Sequence, residues 1–281
     1  PVGAGFGGVG SNLGGGIWQF TKAQVDAGLN FTPPSGFSGT VNMTLRAIAT
    51  ETENSVTSAN DAVFRVIVDP QADAPNVTGA TTLNEDVATT IGGNISIALT
   101  DTDGSEYISQ VVISGFPAGV VVSFGTSDPA VTLTGSGTGP FTLSIAAQAD
   151  AARLRAVLDS LRLTAPANSD TNFNLTVQAT SKDLDGSTAP TSATHVVTVR
   201  AVADAPGVTA PDVNGTEDVI CMSLGLAANL NDLDGSETLS ARILDVPAGS
   251  VLTANTAGGG TFTNNGNGTY SITAPSATGA A

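Results

Sequence analysis

The chain has 281 residues, and 9 lysines and arginines stand against 25 aspartates and glutamates, which gives a formal net charge of −16. This balance argues against binding nucleic-acid phosphates, which needs clustered basic side chains, and against docking on an anionic membrane surface. The single cysteine, Cys221, excludes an intrachain disulfide framework and a cysteine-rich zinc site. Its apolar neighbours predict a buried thiol.

Charged residues make up only 12% of the chain, while glycine and β-branched residues are abundant. This composition predicts an all-β fold rather than disorder, because disordered chains are rich in charge and poor in valine and isoleucine. The sequence has no apolar run of about 18 residues, the length that spans a membrane, and no recognisable signal peptide. We expect it to be a piece of a larger protein or a processed product.

An internal repeat with an offset of about 131 residues organises the sequence. Ala72-Asp-Ala-Pro75 returns as Ala203-Asp-Ala-Pro206, and Asp101-Thr-Asp-Gly-Ser-Glu106 returns as Asp232-Leu-Asp-Gly-Ser-Glu237. Glu-Asp pairs and Pro-Ala-Gly turns follow in the same order. The repeat predicts three segments: the back half of one repeat (1–71), a complete repeat (72–202) and the front half of a third (203–281).

The predicted elements are mostly short strands. In the first segment, Val41, Met43, Leu45 and Ala47 alternate with polar residues, the pattern of a half-buried strand. In the complete repeat, strands are predicted at 95–100, 109–114, 120–124, 130–134, 140–146, 173–179 and 195–202. The third segment repeats one of these patterns at 268–273. About seven to nine short strands in a repeat of this length predict tandem immunoglobulin-like β-sandwiches.

One helix is predicted inside the repeat, at Ala151–Leu161. Leu154, Val157 and Leu158 fall at helical spacing, and Asp150 precedes them as a candidate N-cap. We expect this short helix to close one end of the sandwich, with Arg153 and Arg155 on its solvated side.

The two acidic boxes, 101–106 and 232–237, each place three carboxylates within six residues around an Asp-Gly turn. Like charges gathered in this way repel one another, and oxygen ligands in an Asp-x-Asp pattern suit the hard cation Ca²⁺. Asp183-Leu-Asp-Gly-Ser187 is a shortened copy that could hold metal at a further place. The alternative interpretation of each box is a solvated surface turn.

Other acidic residues recur with the boxes, in the Ala-Asp-Ala-Pro linkers and the Glu-Asp pairs. Because linkers and end loops of consecutive sandwiches share one space, we expect these carboxylates to converge on the joints between segments. Whether they hold one ion or several stays open. The predicted calcium ligands are Asp69, Asp73, Glu85, Asp86, Asp101, Asp103, Glu106, Asp183, Asp185, Asp204, Glu217, Asp218, Asp232, Asp234 and Glu237.

These motifs resemble the tandem immunoglobulin-like or cadherin-like repeats of giant bacterial type I-secreted adhesins of the RTX type. The resemblance depends on the order of the linkers, Glu-Asp pairs, boxes and Pro-Ala-Gly turns, and on Pro33-Pro-Ser-Gly-Phe-Ser-Gly39 before a strand. It implies extracellular β-sandwiches that Ca²⁺ makes rigid and that extend an adhesive domain away from a cell. The Gly-Gly-x-Gly-x-Asp repeats of that family's secretion region are absent from the printed sequence.

Three other function classes compete with this interpretation. Catalysis is disfavoured, because His195 lies in a strand pattern, no nucleophile motif accompanies it, and Trp18 is the only indole that could stack on a sugar. A calcium-dependent carbohydrate-binding module would need an open coordination position. The third class is an extracellular filament, in which residues 1–71 of one molecule complete residues 203–281 of its neighbour.

The sequence thus predicts a non-enzymatic, calcium-binding extracellular module of a bacterial surface adhesin or biofilm protein. Its expected partners are neighbouring repeats, other copies of itself, or a host or biofilm-matrix surface.

Overall fold

The computed structural model describes residues 4–101, 103–218, 222–254 and 260–273. Cys221, predicted to be a buried thiol, lies outside these residues. Short strands grouped in several sheets dominate the described chain, and helices are few. The predicted all-β architecture with a short helix is therefore confirmed. Residues 4–71, 72–202 and 203–273 are called the first, middle and third segments below, after the predicted division, which stays a prediction.

The first segment contains a small aromatic cluster and a long hairpin. Thr21 caps its helix by accepting from the amide of Gln24, whose side chain accepts in turn from the amide of Thr21. The elements are β1 (Ser11–Gly14), β2 (Ile17–Gln19), α1 (Lys22–Asp26), β3 (Gly39–Thr50) and β4 (Thr57–Val68). β3 and β4 pair in antiparallel register over their whole length.

The middle segment carries the hydrophobic core. Its strands are β5 (Asn76–Thr78), β6 (Ala80–Asn84), β7 (Thr89–Thr90), β8 (Ser96–Ala98), β9 (Glu106–Ser114), β10 (Val121–Phe124), β11 (Thr132–Thr134), β12 (Phe141–Ser144), β13 (Leu161–Thr164), β14 (Phe173–Asp183) and β15 (Thr188–Arg200). One sheet has the order β11-β12-β9-β14-β15-β6, and a second has the order β10-β13-β7. Val111 and Leu175 from the first sheet and Leu163 from the second are fully buried in one cluster, as a sandwich requires.

The helix α2 (Ala151–Asp159) buries Leu154, Val157 and Leu158, as its spacing predicts. Asp150 takes the predicted N-cap position, but its side chain does not cap the helix. Asp150 ends a 3₁₀ turn with φ −95° and ψ 2°, outside the extended region that lets a cap side chain reach the helix amides, and it makes no capping hydrogen bond. It pairs instead with Arg153 at 3.1 Å. Arg155 is also less solvated than expected, because it donates to the carbonyl of Ile95 at 2.7 Å.

The third segment contains β16 (Gly207–Thr209), β17 (Ala227–Asn229), β18 (Ser240–Ile243), β19 (Thr261–Gly266) and β20 (Thr269–Thr273). Its three-stranded sheet has the order β18-β20-β19. Among its described hydrophobic residues, only Tyr270 is buried.

One strand pairing was not foreseen from the sequence and decides where the candidate site lies. β6 pairs in parallel with β15, so that Asn84 stands opposite Arg200. The box at 101–106 lies at the other end of the same sheet, where Glu106 stands opposite Asp183. Glu85, which follows β6, therefore lies at the end of the middle segment that faces the third segment.

Candidate metal centre

Each acidic box folds into the same local loop. The amide of Asp103 donates to Asp101 Oδ1 at 2.9 Å, and the amide of Ser105 donates to Asp103 Oδ1 at 2.8 Å. In the second box, the amides of Asp234 and Ser236 make the matching bonds at 2.9 and 2.8 Å. The box glycines adopt φ of 92° and 96°, a conformation that favours glycine and turns the chain tightly. The sequence repeat is therefore also a repeat of loop geometry.

The first cluster consists of Asp73, Asp101 and Glu106, whose carboxylate oxygens lie within 4.8 Å of one another. Asp101 and Glu106 are buried, and Asp73 comes from the linker before β5. The amide of Asp73 donates to Glu106 Oε1. The other oxygen of this side chain, Glu106 Oε2, is buried with no hydrogen-bond partner.

The first cluster is electrostatically unfavourable as three carboxylates alone. Burial, followed by the charges of Asp101, Asp73 and Asp183, raises the pKa of Glu106 above its ordinary value. The ion pairs formed among the described residues all use acids from outside the predicted ligand set. The cluster therefore has negative charge and free oxygen ligands, with no basic side chain to balance them.

The first segment reaches the box through the loop before β3. Ser38 donates to Asp103 Oδ2 from its amide at 2.7 Å and from its hydroxyl at 2.6 Å. Burial alone would raise the pKa of Asp103, but the hydrogen bonds from Ser38 and Ser105 lower it to about 2. Asp69 lines a cavity of ≈150 Å³ together with Asp73 and Asp101. The predicted convergence of linker and box is thus observed at this joint.

The shortened box at 183–187 lies at the same end of the middle segment as the first box, and its role as a further metal site stays a prediction. Asp183 is almost fully buried and accepts from Ser105 Oγ at 3.0 Å. Ser187 Oγ accepts from the amide of Ala72 at 2.8 Å, which holds the linker against the β14–β15 turn.

The second cluster consists of Glu85, Asp232 and Asp234, again with carboxylate oxygens within 4.8 Å. Glu85 is fully buried, and its Oε1 accepts from the amide of Val202 at 2.6 Å. Its Oε2 is buried without a hydrogen-bond partner. Burial raises the pKa of Glu85, and the nearby charges of Asp232 and Asp234 raise it further.

The prediction of convergence at the joints does not say which box each Glu-Asp pair joins. Because β6 is parallel to β15, the last strand of the middle segment, Glu85 meets the box of the next repeat.

The remaining contacts at the second joint repeat those at the first. The amide of Asp204 donates to Glu237 Oε1, as that of Asp73 does to Glu106, and Glu237 Oε2 is buried without a partner. The amide of Asp170 donates to Asp234 Oδ2 at 3.1 Å, from the loop that corresponds to the one containing Ser38. The hydrogen bonds from Ser236, and to a smaller extent this bond from Asp170, lower the pKa of Asp234.

Nine predicted ligands are not members of the two three-residue clusters. Five of these belong to one of the two acidic boxes or lie beside it, as described above: Asp69, Asp103, Asp183, Asp204 and Glu237. The other four are Asp86, Asp185, Glu217 and Asp218. All four are exposed. Asp86 and Asp218 both have positive φ, at 58° and 64°, so they serve as turn residues. Asp185 accepts from the amide of Ser187. Their assignment as ligands stays a prediction.

The hydrogen-bond donors Ser38, Ser105, Asp170 and Ser187 were missed as functional residues. A signal for two of them exists, because residues 38 and 170 precede corresponding strands at nearly the repeat offset. The boxes alone do not show which loop contacts them.

His195 lies far from this chemistry. It is 2% exposed, its Nε2 lies 2.8 Å from Thr81 Oγ1, and burial lowers its pKa. Within the described residues, helices are too short or too polar to cross a membrane.

Comparison with known proteins gives only distant similarity. No protein-family model and no curated protein matches the chain. Among solved structures, cadherin domains 1–4 of protocadherin gamma B7 are 13% identical with a TM-score of 0.35, matching 88% of this chain and 52% of that one. The EC1–4 fragment of PcdhgB3 is 14% identical with a TM-score of 0.34, over 88% and 51%.

Domains EC1–2 of human mucin-like protocadherin are 11% identical with a TM-score of 0.25, over 62% of this chain and 89% of that one. The chain spans about half the length of the first two fragments. Because TM-scores of this size do not establish a shared fold, the all-β assignment rests on the strands and core of this chain.

Proposed function

We propose that this chain is a non-enzymatic, calcium-rigidified extracellular module of a bacterial surface adhesin or biofilm protein. In this role it acts as an extender, and calcium at the joints holds consecutive β-sandwiches in a fixed relation. The order of motifs in the sequence supports the adhesin assignment. The two acidic clusters, one at the linker before the middle segment and one shared by the middle and third segments, support calcium.

The single observation that carries the proposal is the side chain of Glu85. It is fully buried, it leaves Oε2 without a hydrogen-bond partner, and it lies among two carboxylates of the next segment. An unpaired buried carboxylate oxygen facing like charges is costly to keep unless a cation neutralises it. A cation at this point would be shared by two segments.

The donor set fits Ca²⁺ better than a transition metal. Both clusters consist of carboxylate oxygens, and no cysteine or histidine takes part in either. Hard oxygen ligands in a loop of alternating aspartates are typical of calcium, and extracellular calcium modules bind with dissociation constants of about 10⁻⁴–10⁻³ M. Glu85, Asp232 and Asp234 would hold the ion at the second joint, and Asp73, Asp101 and Glu106 at the first.

The mechanism is linkage between binding and conformation. An ion that binds the assembled joint and not the separated one shifts the population towards the assembled state. At a concentration 100 times the dissociation constant, one site of this kind adds about 2.7 kcal/mol. Binding of one ion then both neutralises the carboxylates and holds the two segments together.

The test is thermal unfolding and small-angle scattering of the chain in chelator and in calcium. We expect calcium to raise Tm and to narrow the distribution of intersegment distances. Glu85→Gln removes one charge from the second cluster and should reduce both responses. Glu53→Gln, at an exposed glutamate outside the predicted ligand set, is the matched control and should behave as wild type. The proposal fails if chelator changes neither Tm nor scattering, or if both variants respond equally.

A further inference from the structure

His195 is the only histidine of the chain, and neither acidic cluster uses it. It is buried on β15, where it stands opposite Leu175 of β14. Its Nε2 atom contacts Thr81 Oγ1 on the other neighbouring strand, β6. A buried titratable side chain therefore lies against β6 near the start of the parallel pairing, whose first rung is Ala80 opposite Val196.

The surroundings of this ring suit only its neutral form. Thr81 Oγ1 also accepts from Asn94 Nδ2 at 3.2 Å, and the second ring nitrogen, His195 Nδ1, is buried with no hydrogen-bond partner. The backbone of Gly79 lies beside Nδ1, so close that a Cβ atom there would be 2.9 Å away. A protonated ring must donate from both nitrogens. Protonation would thus leave a buried charged donor unpaired, which is costly.

Nothing in the described surroundings offsets the charge of a protonated ring. β5, β6 and the 3₁₀ turn at Gly92–Asn94 carry no titratable side chain. Burial is the only cause that lowers the pKa of His195 below its ordinary value of 6.5, and no neighbouring charge contributes. The titratable side chains on the strands and the helix that share its core are Glu106, Tyr107, Arg153, Arg155, Asp159, Arg162, Lys182, Asp183 and Arg200.

The acids in that set have other partners. Asp159 pairs with Arg155 at 2.6 Å. Glu106 and Asp183 stand opposite each other at the end of the sheet that carries the first box, and Asp183 accepts from Ser105 Oγ. The ring of His195 therefore has no carboxylate with which to form an ion pair among these residues.

β6 is the strand of this sheet that opens most easily. It is the last strand in the order, and five rungs pair it with β15, whereas ten rungs pair β14 with β15. Short terminal strands open at a lower free energy than central ones. Opening of β6 would give the ring of His195 access to water, which solvates a charged imidazole.

We propose that protonation of His195 at mildly acidic pH releases β6 from β15 while the other strands of the sheet stay paired. In the closed state the ring stays neutral. In the open state an imidazole with an ordinary pKa of about 6.5 is about 97% protonated at pH 5, so opening becomes about 25-fold more favourable than at pH 7. Because Glu85 directly follows β6, opening would also withdraw it from the second cluster, a consequence that rests on the proposed function.

Hydrogen exchange followed by mass spectrometry tests the opening, in chelator so that the result does not depend on calcium. His195→Gln keeps a polar partner for Thr81 but takes up no proton. After correction for the intrinsic effect of pH on exchange, the protection of β6 amides in wild type relative to this variant should fall at least tenfold between pH 7 and pH 5. Carboxylates that titrate in this range are common to both proteins and cancel in the ratio. The amides that pair β9 with β14 should keep their protection in both.

Thr194→Gln, at the exposed neighbouring position of β15, is the matched control. It changes the same strand without touching the buried ring, so its β6 amides should lose protection on acidification as those of wild type do.

A direct titration of the ring keeps the proposal falsifiable if His195→Gln does not fold. Since the chain has one histidine, the imidazole NMR signals of the wild-type protein need no assignment. They should stay those of a neutral ring below pH 6.5, and the charged form should appear only together with loss of β6 protection. A ring that titrates near pH 6.5 or above with β6 still protected would overturn the proposal. So would equal loss of protection in wild type and His195→Gln, or loss that spreads equally over all strands of the sheet.

Discussion

The two acidic clusters use the same loop but obtain their third carboxylate from different places. In the first cluster it is Asp73 of the adjoining linker, four residues after Asp69. In the second cluster it is Glu85, which lies in the body of the preceding segment. The first cluster can therefore form when the linker is ordered, whereas the second forms only when two segments meet. Identical motifs thus give one local site and one intersegment site.

The surroundings of the two clusters differ as well. Asp69 adds a carboxylate at the first joint, and the corresponding position at the end of β15 is Arg200. Ser38 makes two hydrogen bonds to the first box, and Asp170 makes one longer bond to the second. The first joint is the more acidic and the more tightly held before any ion binds.

The largest effect should come from removing the box carboxylates of one joint at a time. Asp101→Ala with Asp103→Ala should abolish binding at the first cluster, and Asp232→Ala with Asp234→Ala at the second. Mutation of a residue that only hydrogen-bonds to a metal ligand lowers metal affinity about 10–100-fold. Each double variant removes ligands themselves and should lower the calcium affinity of its joint by at least as much. Isothermal titration calorimetry measures the number of calcium ions bound per chain, and each double variant should lose the ions bound at one joint. An unchanged stoichiometry in both double variants would remove the distinction between the clusters.

A smaller effect should appear in the pH dependence of the second joint. Burial first, and then the neighbouring aspartates, raise the pKa of Glu85 above its ordinary value near 4.5. The folded state then binds the proton more tightly, so without calcium its stability falls as pH rises from about 4.5 through the raised pKa. In chelator, Glu85→Gln should melt above wild type at neutral pH, and the gap should close on acidification.

In calcium the sign of this difference should reverse, because the ion favours the charged form that the variant lacks. His195 is present in both proteins, so its own titration cancels in the difference. Melting curves of the two proteins across this pH range provide the measurement. A difference that does not depend on pH would show that Glu85 contributes packing and not charge.

Much of this arrangement is predictable from the sequence, for reasons that are local. The boxes fold alike because Asp-x-Asp-Gly-Ser carries its own turn chemistry, and α2 follows from the spacing of Leu154, Val157 and Leu158. The location of Glu85 is not predictable, because it depends on parallel pairing of strands more than 100 residues apart. Likewise, Asp183 joins the first box only through the pairing of β14 with β9. Local patterns do not encode such long-range pairings.

The smallest expected effect concerns the hydrogen bonds from Ser38, which make the first joint differ from the second. Ser38→Ala removes the hydroxyl donor to Asp103. It should lower the free energy of unfolding by about 0.5–1.5 kcal/mol or less, because the hydrogen bond is partly exposed. It should raise the pKa of Asp103 from about 2 towards its ordinary value. NMR titration of the carboxyl groups measures this shift. Ser35→Ala, on the exposed part of the same loop, should leave the pKa of Asp103 unchanged. An equal pKa shift in this variant would show that the hydrogen bond from Ser38 is not the cause.

The parallel pairing of β6 and β15 also has a mechanical consequence. β6 begins near the linker at Asp73, and β15 ends near the linker at Asp204, so tension on the two linkers pulls the paired strands in opposite directions along their length. The five rungs from Ala80 opposite Val196 to Asn84 opposite Arg200 are then sheared together and are not opened one after another. A module stretched between neighbours would resist force through this strand pair.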